Sequence, residues 1–300
     1  MLALMLGNAP AQLTAQVVLF LGLLLAPACS KETNISSGGS NGGGQTAQLP
    51  DCSRDEPSPG DHGPAMVRVS RLDGTCLWID ETEVTRGQYQ AFLDSNPEVQ
   101  TESPCTWNES YLPSCSPLSA DGGDDGGASD DSECPQTEQH PIVCVDWCDA
   151  QAFCRWAGKQ LCKGEFDAPA DAFTSSWYSP CSHGDQADFP YGDSYDEKTC
   201  FGNDFSEPAP SCPRPVGELG SCATPDGVFD MSGNVAEWVD ECRNPGTDNG
   251  ECKYRGGHYA SPASDMACAQ THSEKVVPRM DGTTLVGRRP FLGFRCCAYD

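Results

Sequence analysis

The stretch from Asp230 to Trp238, DMSGNVAEW, combines residue types that could do chemistry at close spacing. It places the Asp230 carboxylate, a Gly-Asn pair and the Glu237 carboxylate close together, and it ends on a tryptophan. Carboxylates and main-chain carbonyls are the oxygen groups that hard cations prefer. The alternative interpretation is a turn closed by side-chain capping, with no ion. The pattern is typical of neither a regular helix nor a strand.

The cysteines are the second set of residues with chemical potential. The chain has 19 cysteines, and setting Cys29 aside leaves 19 − 1 = 18, an even number. In an exported protein an even set predicts disulfides, here up to nine. Zinc ligation is the competing interpretation, but no C-x-x-C pair occurs and the five histidines are scattered. The pattern favours disulfides.

The charge balance excludes one class of partner. The formal net charge is −26, with only 18 Lys and Arg residues. A nucleic-acid backbone needs clustered basic side chains, so we expect no nucleic acid among the partners. A membrane-surface helix would also need a basic amphipathic stretch, and none is present.

The N-terminal residues predict export. Val17 to Ala26 is an apolar run too short to span a bilayer, and it leads into Ala26-Pro27-Ala28, an A-x-A type cleavage site. We therefore interpret residues 1–28 as a signal peptide, although the segment before the apolar run has no Lys or Arg. Cys29 follows the site directly, and LAPAC resembles a bacterial lipobox. Cys29 is thus the expected lipidation site and membrane attachment, while ordinary cleavage after Ala28 would also leave it first.

The composition of the mature chain indicates a linker followed by a folded domain. Residues 29–64 include a Gly/Ser-rich run and predict the lipidation site followed by a flexible linker. A folded domain is expected over 65–300. Within it, residues 116–133 are acidic and glycine-rich, which favours a solvated, disordered insertion over a calcium loop.

Local patterns predict a strand and two helices. MVRVS alternates like a strand. Thr85 and Gln88 form the capping-box pattern that begins a helix with an apolar face. Asp146 is a good N-cap for a second helix, over 145–158, with Gly158 as its C-cap. The 31 Gly and 24 Pro residues indicate that much of the remainder is turns and loops.

Six stretches in one order resemble the formylglycine-generating enzyme family, also called sulfatase-modifying factor domains. The likeness covers about Val67 to the C-terminus. The stretches are IDETEVTRGQYQAFL, HPIVCVDWCDAQAFCRWAGKQL, FPYGDSY, PDGVFDMSGNVAEWVDEC, YRGGHYASPASDMACAQ and FLGFRCC. The resemblance implies an α+β fold, an irregular variant of the C-type lectin fold that has little regular secondary structure and is rich in disulfides.

The resemblance also implies a structural calcium ion. Family members bind calcium through the motif that matches DMSGNVAEW. The matching ligands are the Asp230 side chain, the main-chain carbonyls of Gly233 and Val235, and the Glu237 carboxylate. By the same analogy Cys154 pairs with Cys296, and Cys268 pairs with Cys162 or Cys181.

The segment that carries the family's oxidation chemistry departs from the pattern. Active members use oxygen and a copper ion held by two thiolates, ligands that suit Cu(I). After Arg255-Gly256-Gly257 this chain has only Cys268, where the family has a structural cysteine, and Ser261 falls near the first copper position. Copper is therefore not expected. Two other routes stay open, namely a thiol from Cys252 or Cys297, or a metal held by His258, His272 and Cys268.

These observations lead to one functional hypothesis and two alternatives. We expect a non-catalytic binding or structural module at the cell surface, either an outer-membrane lipoprotein or a secreted protein, whose partner is a protein, peptide or glycan. One alternative is an active oxidase that converts a sulfatase cysteine to formylglycine. The other is a subunit of an envelope or secretion machine.

Overall fold

The computed structural model describes residues 52, 58–100, 102–115, 134–135, 137–276 and 287–299. The predicted signal peptide 1–28, the lipidation site Cys29 and the acidic insertion 116–133 lie outside the described residues. None of the helices that the structure describes has the length and apolar character needed to cross a bilayer.

The described residues form two small sheets, with three α-helices and long connecting loops. In chain order the elements are β1 (Met66–Ser70), β2 (Cys76–Asp80), α1 (Arg86–Asp94), α2 (Trp147–Trp156), β3 (Gln160–Leu161), α3 (Tyr178–Cys181), β4 (Ala236–Arg243), β5 (Glu251–Arg255), β6 (Thr271–Lys275), β7 (Leu292–Phe294) and β8 (Cys296–Tyr299). This α+β arrangement with little regular structure agrees with the sequence analysis.

The first sheet has the order β1-β2-β8-β3. Its strand pairs are antiparallel, and the predicted strand MVRVS is β1. A tight turn joins β1 to β2. Gly74 adopts φ +82° in it, and the Asp73 carboxylate accepts from the Thr75 amide at 2.9 Å. Left-handed backbone of this kind favours glycine.

The second sheet has the order β6-β5-β4-β7, in which β4 pairs with β7 in parallel and the other pairs are antiparallel. β4 begins at Ala236, so the last three residues of DMSGNVAEW are strand, contrary to the expectation of no regular element. The residues before it do form a turn, with positive φ at Asp230, Gly233 and Asn234. A Cβ on Gly233 would lie 2.4 Å from the Phe201 carbonyl oxygen, which explains the glycine.

Both helices begin as predicted. Thr85 and Gln88 form a capping box at the start of α1, and Asp146 and Asp149 form another at the start of α2. α2 ends at Trp156, and Gly158 follows with φ +74°. The apolar faces of the two helices and the inner faces of β4 and β7 share one core. Its large buried side chains include Tyr89, Phe92, Trp147, Phe153, Trp238 and Phe294.

Nine disulfides brace this framework. They join Cys52 to Cys76, Cys105 to Cys148, Cys115 to Cys144, Cys134 to Cys212, Cys154 to Cys296, Cys162 to Cys297, Cys181 to Cys268, Cys200 to Cys222, and Cys242 to Cys252. The disulfide prediction is confirmed. Adjacent cysteines 296 and 297 bond two different segments, at Cys154 and Cys162, to the central strand β8.

The domain begins earlier than residue 65. His62 stacks on Trp156 with ring centroids 4.2 Å apart, and the buried Lys159 ammonium donates to the Pro64 carbonyl at 2.8 Å. Cys52 is bonded to β2. His62 and Pro64 therefore contact the end of α2 and the residue after it, although the sequence predicted a flexible linker over 29–64.

Candidate functional site

Glu237, one of the predicted calcium ligands, lies at the start of β4 and is fully buried. Its Oε2 accepts from Arg295 Nε and from the Trp177 indole, each at 2.7 Å. Its Oε1 accepts from Arg295 Nη2 at 2.7 Å. Arg295 comes from FLGFRCC, between β7 and β8, so the last motif supplies the counter-charge for this carboxylate.

Asp230, the other predicted carboxylate ligand, faces a different set of groups. Its carboxylate accepts from the Gly217 amide, and the buried Glu83 carboxyl lies nearby. Burial raises the pKa of Asp230 to about 6. Burial, and next the Asp230 charge, raise the pKa of Glu83 well above its ordinary value. Glu83 also accepts from the Asn234 amide at 3.0 Å.

The Arg295 counter-charge on Glu237 weighs against a calcium ion at this carboxylate. Ca²⁺ takes six to eight oxygens at about 2.3–2.6 Å, usually including ionised carboxylates. Here Arg295 donates to both oxygens of Glu237, while Glu83 Oε2, buried near Asp230, has no hydrogen-bond partner among the described residues. Within the part of the chain that the structure describes, no group of three or more His, Cys, Asp or Glu side chains is arranged to hold a metal. Calcium at Asp230, Gly233, Val235 and Glu237 remains a prediction that the geometry does not favour.

The segment from Arg255, at the end of β5, to Ser261 is also buried. Arg255 donates from Nε and Nη2 to Glu241 at 3.0 and 2.7 Å. The ring of His258 stacks on Phe291 with centroids 4.2 Å apart, and its Nδ1 accepts from the Ala260 amide. Burial, with a smaller contribution from His272, lowers the pKa of His258 to about 3. Ser261 accepts from the His258 amide at 3.0 Å and is itself buried.

The cysteines near this segment are all bonded. Cys268 pairs with Cys181, one of the two partners that the resemblance left open. Cys252 and Cys297, the alternative sources of a copper-binding thiol, pair with Cys242 and Cys162. Because its sulfur is bonded to Cys181, Cys268 supplies no thiolate to a metal site with His258 and His272. His272 lies 3.6 Å from Asp265 and stacks on Tyr254.

Residues 39–298 match the family described as the sulfatase-modifying factor enzyme 1-like domain. The chain belongs to this family. The match agrees with the six motifs and with the C-type-lectin-like fold that they imply.

Individual relatives are more distant. The serine/threonine-protein kinase pkn1 of Chlamydia caviae is 29% identical over 179 residues, which is 54% of this chain and 24% of that protein. The chain thus spans about a quarter of the length of this curated relative.

Solved structures with a related fold include PvdO from Pseudomonas aeruginosa, with a TM-score of 0.50, 18% identity, and coverage of 77% of this chain and 83% of PvdO. Treponema denticola variable protein 1 has a TM-score of 0.45 and 19% identity, over 81% of this chain and 94% of its own. At these identities the likeness concerns the fold alone.

Sequence reasoning found the carboxylates of the site and missed their partners. Arg295 was visible as the arginine of GFRCC, but its distance of 58 residues from Glu237 hid the pairing. Trp177 and Glu83 lie outside every motif that suggested calcium. A buried carboxylate requires a charged or hydrogen-bonding partner. The two acids of the motif were therefore the available signal that a basic side chain lies beside them.

Proposed function

We propose that this sulfatase-modifying factor domain is a non-catalytic binding or structural module. The observation that supports the proposal is the state of its sulfur atoms. From Cys52 to Cys297, each of the eighteen cysteines is in a disulfide, so Cu(I) has no thiolate pair to bind among them. At the first copper position Ser261 supplies a hard hydroxyl, whose oxygen accepts a main-chain hydrogen bond.

The proposal includes the compartment and the attachment. Nine disulfides in one domain are typical of an oxidising environment, and this supports export. In our proposal Cys29 carries the lipid and anchors the domain at the cell envelope, with secretion as the outcome if the cysteine is unmodified. A lectin-type framework presents irregular loops on a braced base, a common arrangement for recognising a protein, peptide or glycan.

An oxidation assay tests the absence of catalysis. The purified chain is incubated in air with Cu(I) and a peptide that carries a sulfatase-type cysteine motif. We expect the peptide to keep its thiol mass, apart from the slow disulfide formation that a scrambled cysteine peptide also shows. A mass change from thiol to aldehyde in the motif peptide alone would establish the oxidase and overturn the proposal.

A thiol titration in denaturant gives an independent test. The mature protein should show no titratable thiol beyond Cys29, and a Cys29→Ser variant should show none. Two or more free thiols in the Cys29→Ser protein would supply the pair of sulfur ligands that a copper site needs, and would contradict the proposal. Detergent phase partitioning of the same two proteins tests the lipid, because only the unsubstituted chain should enter the detergent phase.

A further inference from the structure

The loop that follows Phe189 lines a wide-open surface pocket. Its walls are residues 191–197, and its volume is ≈ 660 Å³. Phe189 is buried just before this loop, and its amide and carbonyl exchange two main-chain hydrogen bonds with those of Gly192. We call this feature the tyrosine pocket, after Tyr191 and Tyr195.

Three aromatic rings shape the tyrosine pocket. Tyr191 stacks on Phe189 with centroids 5.5 Å apart and an interplanar angle of 17°. Tyr195 packs against the same phenylalanine at 5.7 Å and 52°. The Tyr191 hydroxyl accepts from the Asp196 amide at 3.1 Å, which fixes its ring across the loop. Two tyrosine rings that pack on a buried phenylalanine thus line this open pocket.

The charges around the rings have one sign. Asp193, Asp196 and Glu197 line the pocket and are exposed. Asp193 makes no hydrogen bond or ion pair with the described residues. The nearest base, Lys198, lies 3.4 Å from Glu197, and its ammonium donates to the carbonyls of Phe205 and Asp204 at 2.8 and 3.3 Å. The Lys198 ammonium is therefore held by main-chain carbonyls, and the net charge of the pocket lining stays negative.

The loop is held in place before any ligand binds. Phe189 packs with Cys200, Cys222 and Met266, and the Cys200–Cys222 disulfide closes this cluster. The Cys268 amide donates to the Asp188 carbonyl at 2.9 Å, so a second disulfide-bonded segment fixes the start of the loop. A preorganised pocket loses less conformational entropy on binding than a mobile loop.

We propose that the tyrosine pocket binds a cationic side chain, lysine or arginine, of a partner protein. The faces of tyrosine rings attract a cation within about 6 Å, and the carboxylates add charge complementarity at the rim. A neutral apolar side chain would gain the aromatic contact and lose both electrostatic contributions. This inference gives the proposed binding function a partner chemistry, and it rests on that function.

The test is a titration of the full chain, followed by ¹H–¹⁵N NMR, with acetyl-Gly-Lys-Gly-amide. Its matched control is the same peptide with norleucine, which has the aliphatic stem without the ammonium. We expect the lysine peptide to shift the resonances of residues 189–198 in a saturable way, and the norleucine peptide to cause no saturable shift. Equal responses to both peptides, or shifts confined to other segments, would overturn the proposal.

Three variants separate the ring from the charge. Tyr195→Phe keeps the ring and should bind within about twofold of the parent protein, because the attraction comes from the ring face. Tyr195→Leu should bind about two- to fivefold more weakly. Asp193→Asn, which leaves every described contact in place, should bind about two- to fivefold more weakly at low salt. Affinity that falls for Asp193→Asn but is unchanged in Tyr195→Leu would show a diffuse acidic surface and overturn the pocket.

The two proposals fail in different experiments. The oxidation assay depends on cysteines, and none of these variants changes a cysteine. A chain that oxidises its peptide and still binds lysine would overturn the proposed function alone, whereas a chain without lysine binding and without oxidation would overturn the pocket alone.

Discussion

Arg295 and Glu237 form a closed pair of buried charges, in which Nε donates to Oε2 and Nη2 donates to Oε1, each at 2.7 Å. Both side chains are 0% exposed. Arg295 also donates to the carbonyls of Asp80 and Phe229. One guanidinium therefore links the start of β4 to the end of β2 and to the loop before Asp230. The pair thus links one strand of each sheet.

Removing one member of this pair should be costly. Arg295→Leu leaves Glu237 charged and buried, and we expect the free energy of unfolding to fall by about 3–5 kcal/mol in urea melts. Adding Glu237→Gln should recover part of that loss by removing the stranded charge. The control is Arg243→Leu, which breaks an exposed pair with Glu251 and should cost about 1 kcal/mol or less. Similar losses in Arg295→Leu and Arg243→Leu would contradict the role of burial.

Calcium removal tests the same site from another side. Because Arg295 already neutralises Glu237, we expect a chelator such as EGTA to leave the melting temperature unchanged. A bound ion at a hundred times its Kd would add about 2.7 kcal/mol, or roughly 5–10 °C in a domain of this size. A drop of that size on chelation, reversed by calcium and absent in Glu237→Gln, would establish the calcium prediction instead.

The buried histidine predicts a pH dependence. The pKa of His258 is lowered to about 3 in the folded protein, against an ordinary value of 6.5. The folded state therefore binds fewer protons, and stability that is present above pH 6.5 is lost as the pH falls toward 3. At pH 4.5 the loss should be about 2–3 kcal/mol relative to pH 7.

His258→Gln isolates that contribution, because glutamine is neutral throughout. The difference in unfolding free energy between the parent and His258→Gln should shift in favour of the variant as pH is lowered from 7 to 4.5. The other titratable group acting on His258 is His272, which lies near Asp265. His272→Gln should retain most of the dependence. A parallel pH profile for the parent and His258→Gln would refute the assignment.

The disulfides should contribute differently to the free energy of unfolding, according to the length of the loop that each closes. Cys154 and Cys296 are separated by 142 residues, and Cys242 and Cys252 by 10. In the loop-entropy account these closures stabilise by about 5 and about 3 kcal/mol. Replacing each pair by alanine should therefore cost roughly 2 kcal/mol more for the longer loop in chemical denaturation. Equal costs would mean that packing in the folded state outweighs the constraint on the unfolded chain.

Local chemistry was predictable from the sequence. The Thr85 and Asp146 caps each act within four residues, so both helix starts followed from side chains near the start itself. The strand β1 followed from alternation. The family and its fold followed from six ordered motifs, which carry information that no local pattern holds.

Long-range pairing was not predictable in the same way. β4 was missed because its burial pattern does not alternate: Ala236 to Val239 are all buried between neighbouring strands and helices. The partner of Cys268 stayed open between two cysteines because spacing does not fix connectivity. Calcium was expected because the resemblance assigns it to this motif, and the pairing of Arg295 with Glu237 could not be read from the sequence.

The crossing from β7 to β8 has a consequence for the order of folding. Leu292 to Phe294 complete the second sheet, Cys296 to Tyr299 add a central strand to the first, and two disulfides reach back from this stretch to residues 154 and 162. Neither sheet can close on a nascent chain that has not yet reached this point. Maturation of the domain must therefore follow synthesis through residue 299, and oxidising enzymes that act earlier meet Cys154 and Cys162 before their native partners exist.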